Sequence, residues 1–170
     1  MQLQPQGPAY HGTGPEHDVV TSCRVRLARN LAGFPFVNRA SETQCHEIVS
    51  MLQRVLLEDE SAPSMIWVDM NTATDEDCSL LAERHLISRN HAEAETRRAA
   101  AICEDESMSV MVNEEDHVRM HAIGGGLQFT DVFKRINDLD NAIESKLDYA
   151  FSDRWGYLTA CPTNVGTGIR

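Results

Sequence analysis

A charged segment of seven residues directly follows an apolar run, and this order constrains the fold of the chain more than any other feature. The apolar run is Met108–Val112, and the charged segment reads Asn113-Glu114-Glu115-Asp116-His117-Val118-Arg119. An apolar run of this length is typical of a buried strand. Charged groups at its end are costly to bury unless metal, phosphate or substrate compensates them. The segment therefore indicates either a solvated acidic loop, the common form of such runs, or a ligand site at the end of a strand.

The charge balance of the chain restricts its partners. The chain has 170 residues, enough for one domain with a substantial core. Its formal net charge is −11, from 26 acidic and 15 basic residues. This balance argues against nonspecific binding to nucleic acid or to anionic membranes, because both need a basic surface. Arg24, Arg26 and Arg29 nevertheless crowd one short stretch. A local arginine cluster in an acidic protein favours a small anionic ligand, above all phosphate.

The cysteines predict neither a disulfide framework nor a zinc site, since their number is odd and none are spaced as Cys-x-x-Cys. The five are Cys23, Cys45, Cys78, Cys103 and Cys161. The chain has no apolar run near the roughly 20 residues that a membrane span requires. Its first residues also lack the pattern of a secretory signal. We therefore expect a cytoplasmic protein, in a reducing compartment and without a membrane partner.

Alternating side chains predict a strand at residues 18–27, after a flexible lead-in at residues 1–17. Successive side chains of an extended segment point to opposite faces, so this strand has a polar, cationic face and an apolar face. The cationic face holds Ser22, Arg24 and Arg26, and the apolar face holds Cys23, Val25 and Leu27. A solvated edge strand with ordinary surface arginines is the alternative interpretation.

The rest of the chain alternates between helical and strand-like patterns. A capping box, Ser41-Glu42-Thr43-Gln44, opens a helix with apolar residues at helical spacing. Further strands are predicted at 64–70, Ala99–Cys103, Met108–Val112, 118–123 and 155–160, and further helices at 75–85 and 127–150. The stripe of the last helix is expected in the core; it comprises Phe129, Val132, Phe133, Ile136, Leu139, Ile143 and Leu147.

A cysteine–proline turn follows the last predicted strand. The segment reads Cys161-Pro162-Thr163-Asn164-Val165-Gly166-Thr167-Gly168. Proline stiffens the turn and glycines permit close approach of a ligand to the backbone. Neighbouring hydroxyl and amide groups can stabilise a thiolate, as a reactive cysteine requires. A buried structural cysteine is the commoner alternative.

Three motifs, taken in order, resemble those of the ATP:guanidino phosphotransferase family, which includes arginine, creatine and bacterial protein arginine kinases. They are Ser22-Cys23-Arg24-Val25-Arg26, the segment 113–119, and Cys161 to Arg170. The resemblance spans about residues 18–170. It implies an α+β catalytic domain of the guanidino kinase (glutamine synthetase-like) type, with a largely antiparallel sheet flanked by helices. Because family members continue well past this point, we expect residues 18–170 to be the N-terminal part of the domain, incomplete at the C-terminus.

The resemblance is closest to the protein arginine kinases. Small-molecule phosphagen kinases carry a helical domain before the arginine strand, whereas 21 residues precede Ser22 here. The segment Glu83-Arg84-His85-Leu86-Ile87-Ser88 is also similar to the protein arginine kinase version. The implied function is phosphorylation of arginine residues in proteins, by phosphoryl transfer from Mg-ATP to a guanidinium.

The same resemblance implies roles for individual residues. Glu115 and Cys161 correspond to the catalytic groups that contact the guanidinium. Glu114 and Asp116 would lie near Mg²⁺. The implied ATP-binding residues are Ser22, Cys23, Arg24, Val25, Arg26, His85, Arg119 and Arg170.

Partners follow from the resemblance alone. They are protein substrates with exposed arginines, a zinc-finger activator, an ATP-dependent protease in protein quality control, and a second copy in a homodimer. One alternative is an inactive remnant that binds nucleotide or phosphoarginine, or that pairs with a kinase subunit. Another is an acidic metal-binding protein built around residues 113–117.

Overall fold

Five antiparallel strands form the central sheet of the computed structural model, which describes residues 13–58 and 62–170. Their order across the sheet is β1-β5-β4-β3-β2. The strands are β1 (Ser22–Arg29), β2 (Met65–Asp69), β3 (Ala99–Cys103), β4 (Met108–Val112) and β5 (Val118–Gly125). The helices are α1 (Glu42–Glu58), α2 (Asp75–Glu83), α3 (Arg89–Glu93) and α4 (Phe129–Glu144). A two-stranded hairpin, β6 (Phe151–Ser152) and β7 (Gly156–Tyr157), follows α4.

The two faces of the sheet differ in character because the side chains alternate. On one face, apolar residues of all five strands pack against α1 and α4 in the main core. On the other face, β2, β3 and β4 present apolar side chains to α2 and α3 in a second, smaller core. At the β1–β5 end, this second face carries Arg26 directly opposite His121. The sheet therefore places a cationic surface beside a covered apolar one.

The predicted cationic and apolar faces of the first strand are confirmed. Cys23, Val25 and Leu27 are buried in the main core, while Arg24 and Arg26 lie on the opposite face. The strand runs from Ser22 to Arg29, so it begins four residues after its predicted start and ends two residues beyond its predicted end.

Helix α1 begins as its sequence predicts. The backbone N–H of Ser41 donates to Oε1 of Gln44 (2.9 Å), and that of Gln44 donates to Oγ of Ser41 (3.3 Å). This reciprocal pair satisfies two backbone donors at the helix start. The predicted apolar positions of α1 are all buried: Cys45, Ile48, Val49, Leu52, Val55 and Leu56.

The predicted stripe of α4 is only partly correct. Phe129 and Phe133 are 53% and 43% exposed, whereas Val132, Ile136 and Ile143 are buried. Phe133 lies roughly a quarter turn from the centre of the buried stripe, since successive residues of a helix are about 100° apart. The helix also ends at Glu144, well before residue 150.

One helix was not predicted. α3 has five residues, too few to show a helical period. Its start is set by Ser88, whose side chain accepts a hydrogen bond from the backbone N–H of His91. The cap and not the apolar pattern defines this helix.

The outer edge of β1 pairs with residues 168–170. The backbone N–H of Arg26 donates to the carbonyl of Arg170 (2.9 Å), and the N–H of Arg170 donates back to Arg26 (3.0 Å). The N–H of Ala28 donates to the carbonyl of Gly168 (2.9 Å). Gly168 has a φ of 66°, and a Cβ there would overlap the Ala28 carbonyl. This pairing sets Arg170 beside Arg26.

A buried arginine attaches the segment after α4 to the sheet. Nη2 of Arg29 donates to Oδ2 of Asp140 (2.6 Å), and its Nη1 donates to the carbonyl of Thr167 (2.9 Å). The guanidinium also lies 3.7 Å from the ring centroid of Tyr157. Arg29 thereby joins β1, α4, β7 and the glycine-containing turn.

The lead-in is described only from residue 13. There the carbonyl of Pro15 accepts a hydrogen bond from the N–H of Leu127 (2.7 Å), and Glu16 closes a turn with Val19 and Val20. Residues 1–12 of the predicted lead-in lie outside the described residues. Among the helices that the structure describes, none has the length and apolar character that a bilayer crossing demands.

Candidate active site

A cavity of about 970 Å³ opens between the cationic end of the sheet and the helices α2 and α3. The sheet contributes Arg24 and Arg26 from β1, Arg119 and His121 from β5, and Met111 from β4. Helix α2 and its following turn contribute Cys78, Ala82 and His85 among others. The cavity thus has a cationic wall and a mixed wall with apolar patches, a combination that suits a ligand with both an anionic and an apolar part.

Four arginines form the cationic wall and its rim, here called the arginine cluster: Arg24, Arg26, Arg119 and Arg170. Burial lowers the pKa of Arg26 from its ordinary value, and the positive charges of the other three lower it further. Like charges held this close repel one another. An anion bound among them would relieve that repulsion, so the cluster is arranged for a polyanion.

Glu114 holds one member of the cluster in place. Its carboxylate is 4% exposed, and Oε2 accepts a hydrogen bond from Nη1 of Arg119 (2.6 Å). Oε1 accepts one from the hydroxyl of Ser88 (2.6 Å). Burial would raise the pKa of Glu114, but the hydrogen bonds from Ser88, Arg119 and the N–H of Glu115 outweigh it, and the pKa is lowered. The carboxylate is therefore ionised and orients Arg119 toward the cavity.

His121 is a cavity residue that the sequence motifs did not single out. It is buried opposite Arg26 in the β1–β5 pairing. Burial, together with the charges of Arg24, Arg26, Arg119 and His85, lowers its pKa to about 3. The ring is neutral at pH 7 and adds no charge to the cluster. Alternation along β5 from Arg119 would have identified it, because residues 119 and 121 share a face.

Glu115 and Cys161 are brought to the same end of the sheet through the residues beside them. Oδ1 of Asp116 accepts hydrogen bonds from Nδ2 of Asn30 (2.6 Å) and from the backbone N–H of Ala160 (2.7 Å). We call this pair of hydrogen bonds the Asp116 bridge. Glu115 precedes Asp116 and is exposed, and Cys161 follows Ala160 and is partly exposed. The Cys161 sulfur lies 3.0 Å from the Thr163 hydroxyl.

The structure separates the predicted nucleotide-binding residues into two groups. Arg24, Arg26, His85 and Arg119 line the cavity, and Arg170 lies beside Arg26. His85 is exposed and has a φ of 58°, the left-handed conformation common just after a helix.

The remaining members of the first motif lie elsewhere. Ser22 is exposed at the start of β1. The side chains of Cys23 and Val25 point into the main core, away from the cavity. Their contribution to nucleotide binding would be limited to their backbone.

The two carboxylates predicted to lie near magnesium are already engaged in hydrogen bonds. Both oxygens of Glu114 accept hydrogen bonds, and Asp116 is 1% exposed and is not part of the cavity lining. Within residues 13–58 and 62–170, no group of three or more His, Cys, Asp or Glu side chains is placed to hold a metal ion. This arrangement fits a metal held largely by substrate phosphates, with at most one carboxylate nearby.

A family model described as ATP:guanido phosphotransferase, C-terminal catalytic domain, matches residues 47–170. The chain belongs to this family. The predicted family membership is therefore confirmed.

The similar proteins include bacterial protein-arginine kinases. The chain is 42% identical to the protein-arginine kinase of Halothermothrix orenii over 161 residues, which cover 94% of this chain and 45% of that protein. It is 42% identical to that of Clostridium novyi over 158 residues, covering 90% of this chain and 45% of that protein. The chain thus spans about half the length of these relatives.

Solved structures of the family share the fold. The substrate-free duplicated taurocyamine kinase of Schistosoma mansoni superposes with a TM-score of 0.82 at 25% identity, covering 99% of this chain and 26% of that one. A lombricine kinase superposes with a TM-score of 0.81 at 23% identity, covering 99% of this chain and 52% of that one. The predicted guanidino kinase fold, an antiparallel sheet flanked by helices, is confirmed.

Proposed function

We propose that this chain phosphorylates arginine residues in proteins with Mg-ATP as the phosphoryl donor. The observation that carries the proposal is the position of the arginine cluster. It lies at a large cavity, while the neighbouring acidic loop (residues 113–117) is hydrogen-bonded to the Cys161 turn (residues 160–168). The similarity to protein-arginine kinases supports arginine in proteins as the acceptor.

The arginine cluster would bind the ATP phosphates. Phosphoryl transfer spreads negative charge over several oxygens, and cations fixed in advance stabilise that charge without reorganisation. The backbone of Arg26 exchanges two hydrogen bonds with Arg170, and its strand pairs with β5 on the other side. Arg119 is held through its side chain by Glu114. A magnesium ion would neutralise part of the phosphate charge, with Glu114 as the nearest carboxylate to the cluster.

Glu115 and Cys161 would receive the acceptor guanidinium. A guanidinium has a pKa above about 12, so it is a poor nucleophile until a base takes its proton. A carboxylate can hold it through paired hydrogen bonds and accept that proton. Glu115 is exposed in the acidic loop and reaches solvent, as a residue that meets a protein side chain must. Cys161 would contact the same group from the opposite turn.

The cellular setting is proposed on similarity alone. We expect a cytoplasmic enzyme that marks proteins for quality control, with a zinc-finger activator and an ATP-dependent protease as partners. Homodimerisation belongs to the same set of expectations.

The experiment is an assay of phosphoryl transfer by the chain itself. The purified chain is incubated with labelled Mg-ATP and a denatured, arginine-rich protein, and acid-labile phosphate on the acceptor is measured. We expect transfer to the acceptor. Nucleotide binding without transfer would contradict the proposed activity and favour a nucleotide-binding remnant.

Nucleotide binding has its own test. Arg24→Ala combined with Arg26→Ala is expected to weaken ATP binding at least about 100-fold, because each charge-assisted hydrogen bond contributes roughly 1.5–3 kcal/mol. Calorimetry with Mg-ATP measures the loss. Arg154→Ala is the matched control, since Arg154 is exposed on the β6–β7 turn away from the cavity. Equal affinity in the double variant and the control would show that the phosphates bind elsewhere.

A further inference from the structure

We infer that Asp116 is a positioning residue, which holds the Cys161 turn against the acidic loop through the Asp116 bridge. The bridge joins two segments that are 44 residues apart in the chain. One segment carries Glu115 and the other carries Cys161. The proposed use of this spacing, to receive a guanidinium between the two, rests on the proposed function.

The bridge is built into the interior of the protein. Asp116 is 1% exposed and Asn30 is 2% exposed. A buried carboxylate without hydrogen-bond partners is costly, and a backbone N–H and a side-chain amide are its partners here.

Asn30 extends the bridge to both segments. Its Nδ2 also donates to the carbonyl of Leu158 (3.1 Å), and its Oδ1 accepts from the backbone N–H of His117 (3.0 Å). The amide of Asn30 is therefore in contact with the acidic loop and with the strand end that precedes Cys161. Its own position is set at the end of β1.

His117 fixes the acidic loop from the other side. The N–H of Leu31 donates to its Nδ1 (3.0 Å), so that nitrogen is unprotonated, and Nε2 donates to the carbonyl of Pro35 (2.9 Å). Burial lowers the pKa of His117, which agrees with a neutral ring. These hydrogen bonds of His117 fix the acidic loop next to Asp116, the residue that contacts the Cys161 turn.

The far end of the Cys161 turn is anchored by Gly166, which exchanges backbone hydrogen bonds with Tyr157 (2.8 and 3.2 Å), and by Thr167, whose carbonyl accepts from Arg29. The bonds around Cys161 itself are local. The Thr159 hydroxyl and the N–H of Asn164 both donate to the carbonyl of Cys161, at 2.8 and 3.0 Å. Among the described residues, the hydrogen bond from the N–H of Ala160 to Asp116 is the direct one between this turn and the acidic loop. Removal of that acceptor should loosen the Cys161 end of the turn, while the end at residues 166–168 stays anchored to Tyr157, Arg29 and Ala28.

This assignment differs from the role that the motif implied for Asp116. A carboxylate near magnesium would open toward the nucleotide cavity, whereas Asp116 is absent from the cavity lining. Its Oδ1 is occupied, and its Oδ2 is buried with no hydrogen bond from the described residues. The hydrogen bonds of Asp116 instead hold the Cys161 turn in place.

The test uses Cys161 as a reporter, because it is partly exposed whereas the other four cysteines are buried. The whole chain is treated with iodoacetamide under native conditions, and peptide mass spectrometry gives a rate for each cysteine. We expect Asp116→Ala to raise the rate at Cys161 at least fivefold and to leave the other four slow. Asp116→Asn should stay within twofold of the unaltered chain, because the amide oxygen can still accept both hydrogen bonds.

Asp153→Ala is the matched control, since Asp153 is an exposed carboxylate in the same part of the chain. An unchanged rate at Cys161 in Asp116→Ala would overturn the inference. A parallel rise at all five cysteines would also overturn it, because that result means a general loss of stability. If Asp116→Ala does not fold, amide hydrogen exchange of the unaltered chain decides: slow exchange at Ala160 supports the bridge, and exchange at the unprotected rate refutes it.

The alkylation rates do not depend on nucleotide or on phosphoryl transfer. A chain that transfers no phosphate can still show selective release of Cys161, which would refute the proposed activity and keep the bridge. A chain that transfers phosphate with no effect of Asp116→Ala on Cys161 would refute the bridge alone.

Discussion

Glu115→Gln is expected to lower the rate of arginine phosphorylation by about two to four orders of magnitude and to leave ATP affinity within about twofold. Glutamine keeps the size and polarity of the side chain but cannot accept the guanidinium proton. The hydrogen bond from residue 115 to Glu114 comes from its backbone N–H, so the substitution leaves it in place. Because the Glu115 side chain is exposed, the free energy of unfolding should not change. Initial rates with labelled ATP and calorimetric ATP binding measure the two quantities separately.

Glu47→Gln is the matched control, because Glu47 is an exposed glutamate on α1, outside the cavity lining. Its transfer rate should equal that of the unaltered chain. Transfer that survives Glu115→Gln combined with Cys161→Ala would show that other groups receive the guanidinium. A parallel loss of ATP affinity would show that Glu115 acts on nucleotide binding instead.

The folded chain is expected to lose several kcal/mol of stability between pH 7 and pH 4, because it buries histidines in their neutral form. Burial is the largest cause that lowers the pKa of His91 to about 4 and that of His121 to about 3. In the unfolded chain these histidines bind protons near pH 6.5, so the unfolded state gains protons first as the pH falls. The stability is therefore present above pH 6.5 and is lost as the pH falls toward 4. His91 alone accounts for roughly 3 kcal/mol, at about 1.4 kcal/mol for each pKa unit.

Groups near His91 shift its pKa in both directions. The carbonyl of Ala99 and the charge of Glu114 raise it, whereas the charges of Arg98 and Arg119 lower it. The N–H at Nε2 of His91 donates to the carbonyl of Ala99 (3.0 Å), and Arg98, Glu114 and Arg119 contribute nearby charges. The pKa of Glu114 is lowered by its hydrogen bonds, so its contribution is also lost in acid.

Urea midpoints at pH 7.0, 5.5 and 4.5 measure the pH dependence of stability. His91→Gln should flatten the profile, because the substituted side chain does not titrate. His46→Gln, at an exposed position on α1, should leave the profile unchanged. If the urea midpoint of His91→Gln fell with pH as steeply as that of the unaltered chain, the burial of neutral His91 would not explain the pH dependence.

Local patterns predict the five strands of the central sheet and the longer helices. The β6–β7 hairpin was not predicted, since the strand expected at 155–160 is reduced to Gly156–Tyr157. Ala99–Cys103 and Met108–Val112 pair as an antiparallel hairpin, as their apolar runs and intervening acidic turn indicate. The stripe of α4 failed at Phe133, because apolar character alone does not state which residues face the core. Helix α3 was not predicted, because five residues are too few to show a helical period.

The residues of the site could be predicted only in part from the sequence. Period-two alternation places Arg24 and Arg26 on one face without any knowledge of the fold. The Asp116 bridge depends on contacts across 86 and 44 residues, which no local pattern encodes. The positioning role inferred for Asp116 therefore comes from the fold, whereas the motif alone implied a place near magnesium.

The Arg29 contacts have a consequence for how this chain folds. Arg29 reaches Asp140 and the carbonyl of Thr167, which are 111 and 138 residues away in sequence. Contacts of such long separation form late, because a large loop must close before they yield any stabilisation. During synthesis, the sheet and its first helices can assemble before Thr167 exists. We therefore expect the Cys161 turn to be acquired after the sheet and its first helices, so that a nascent chain holds this part of its core before the two segments that carry Glu115 and Cys161 come together.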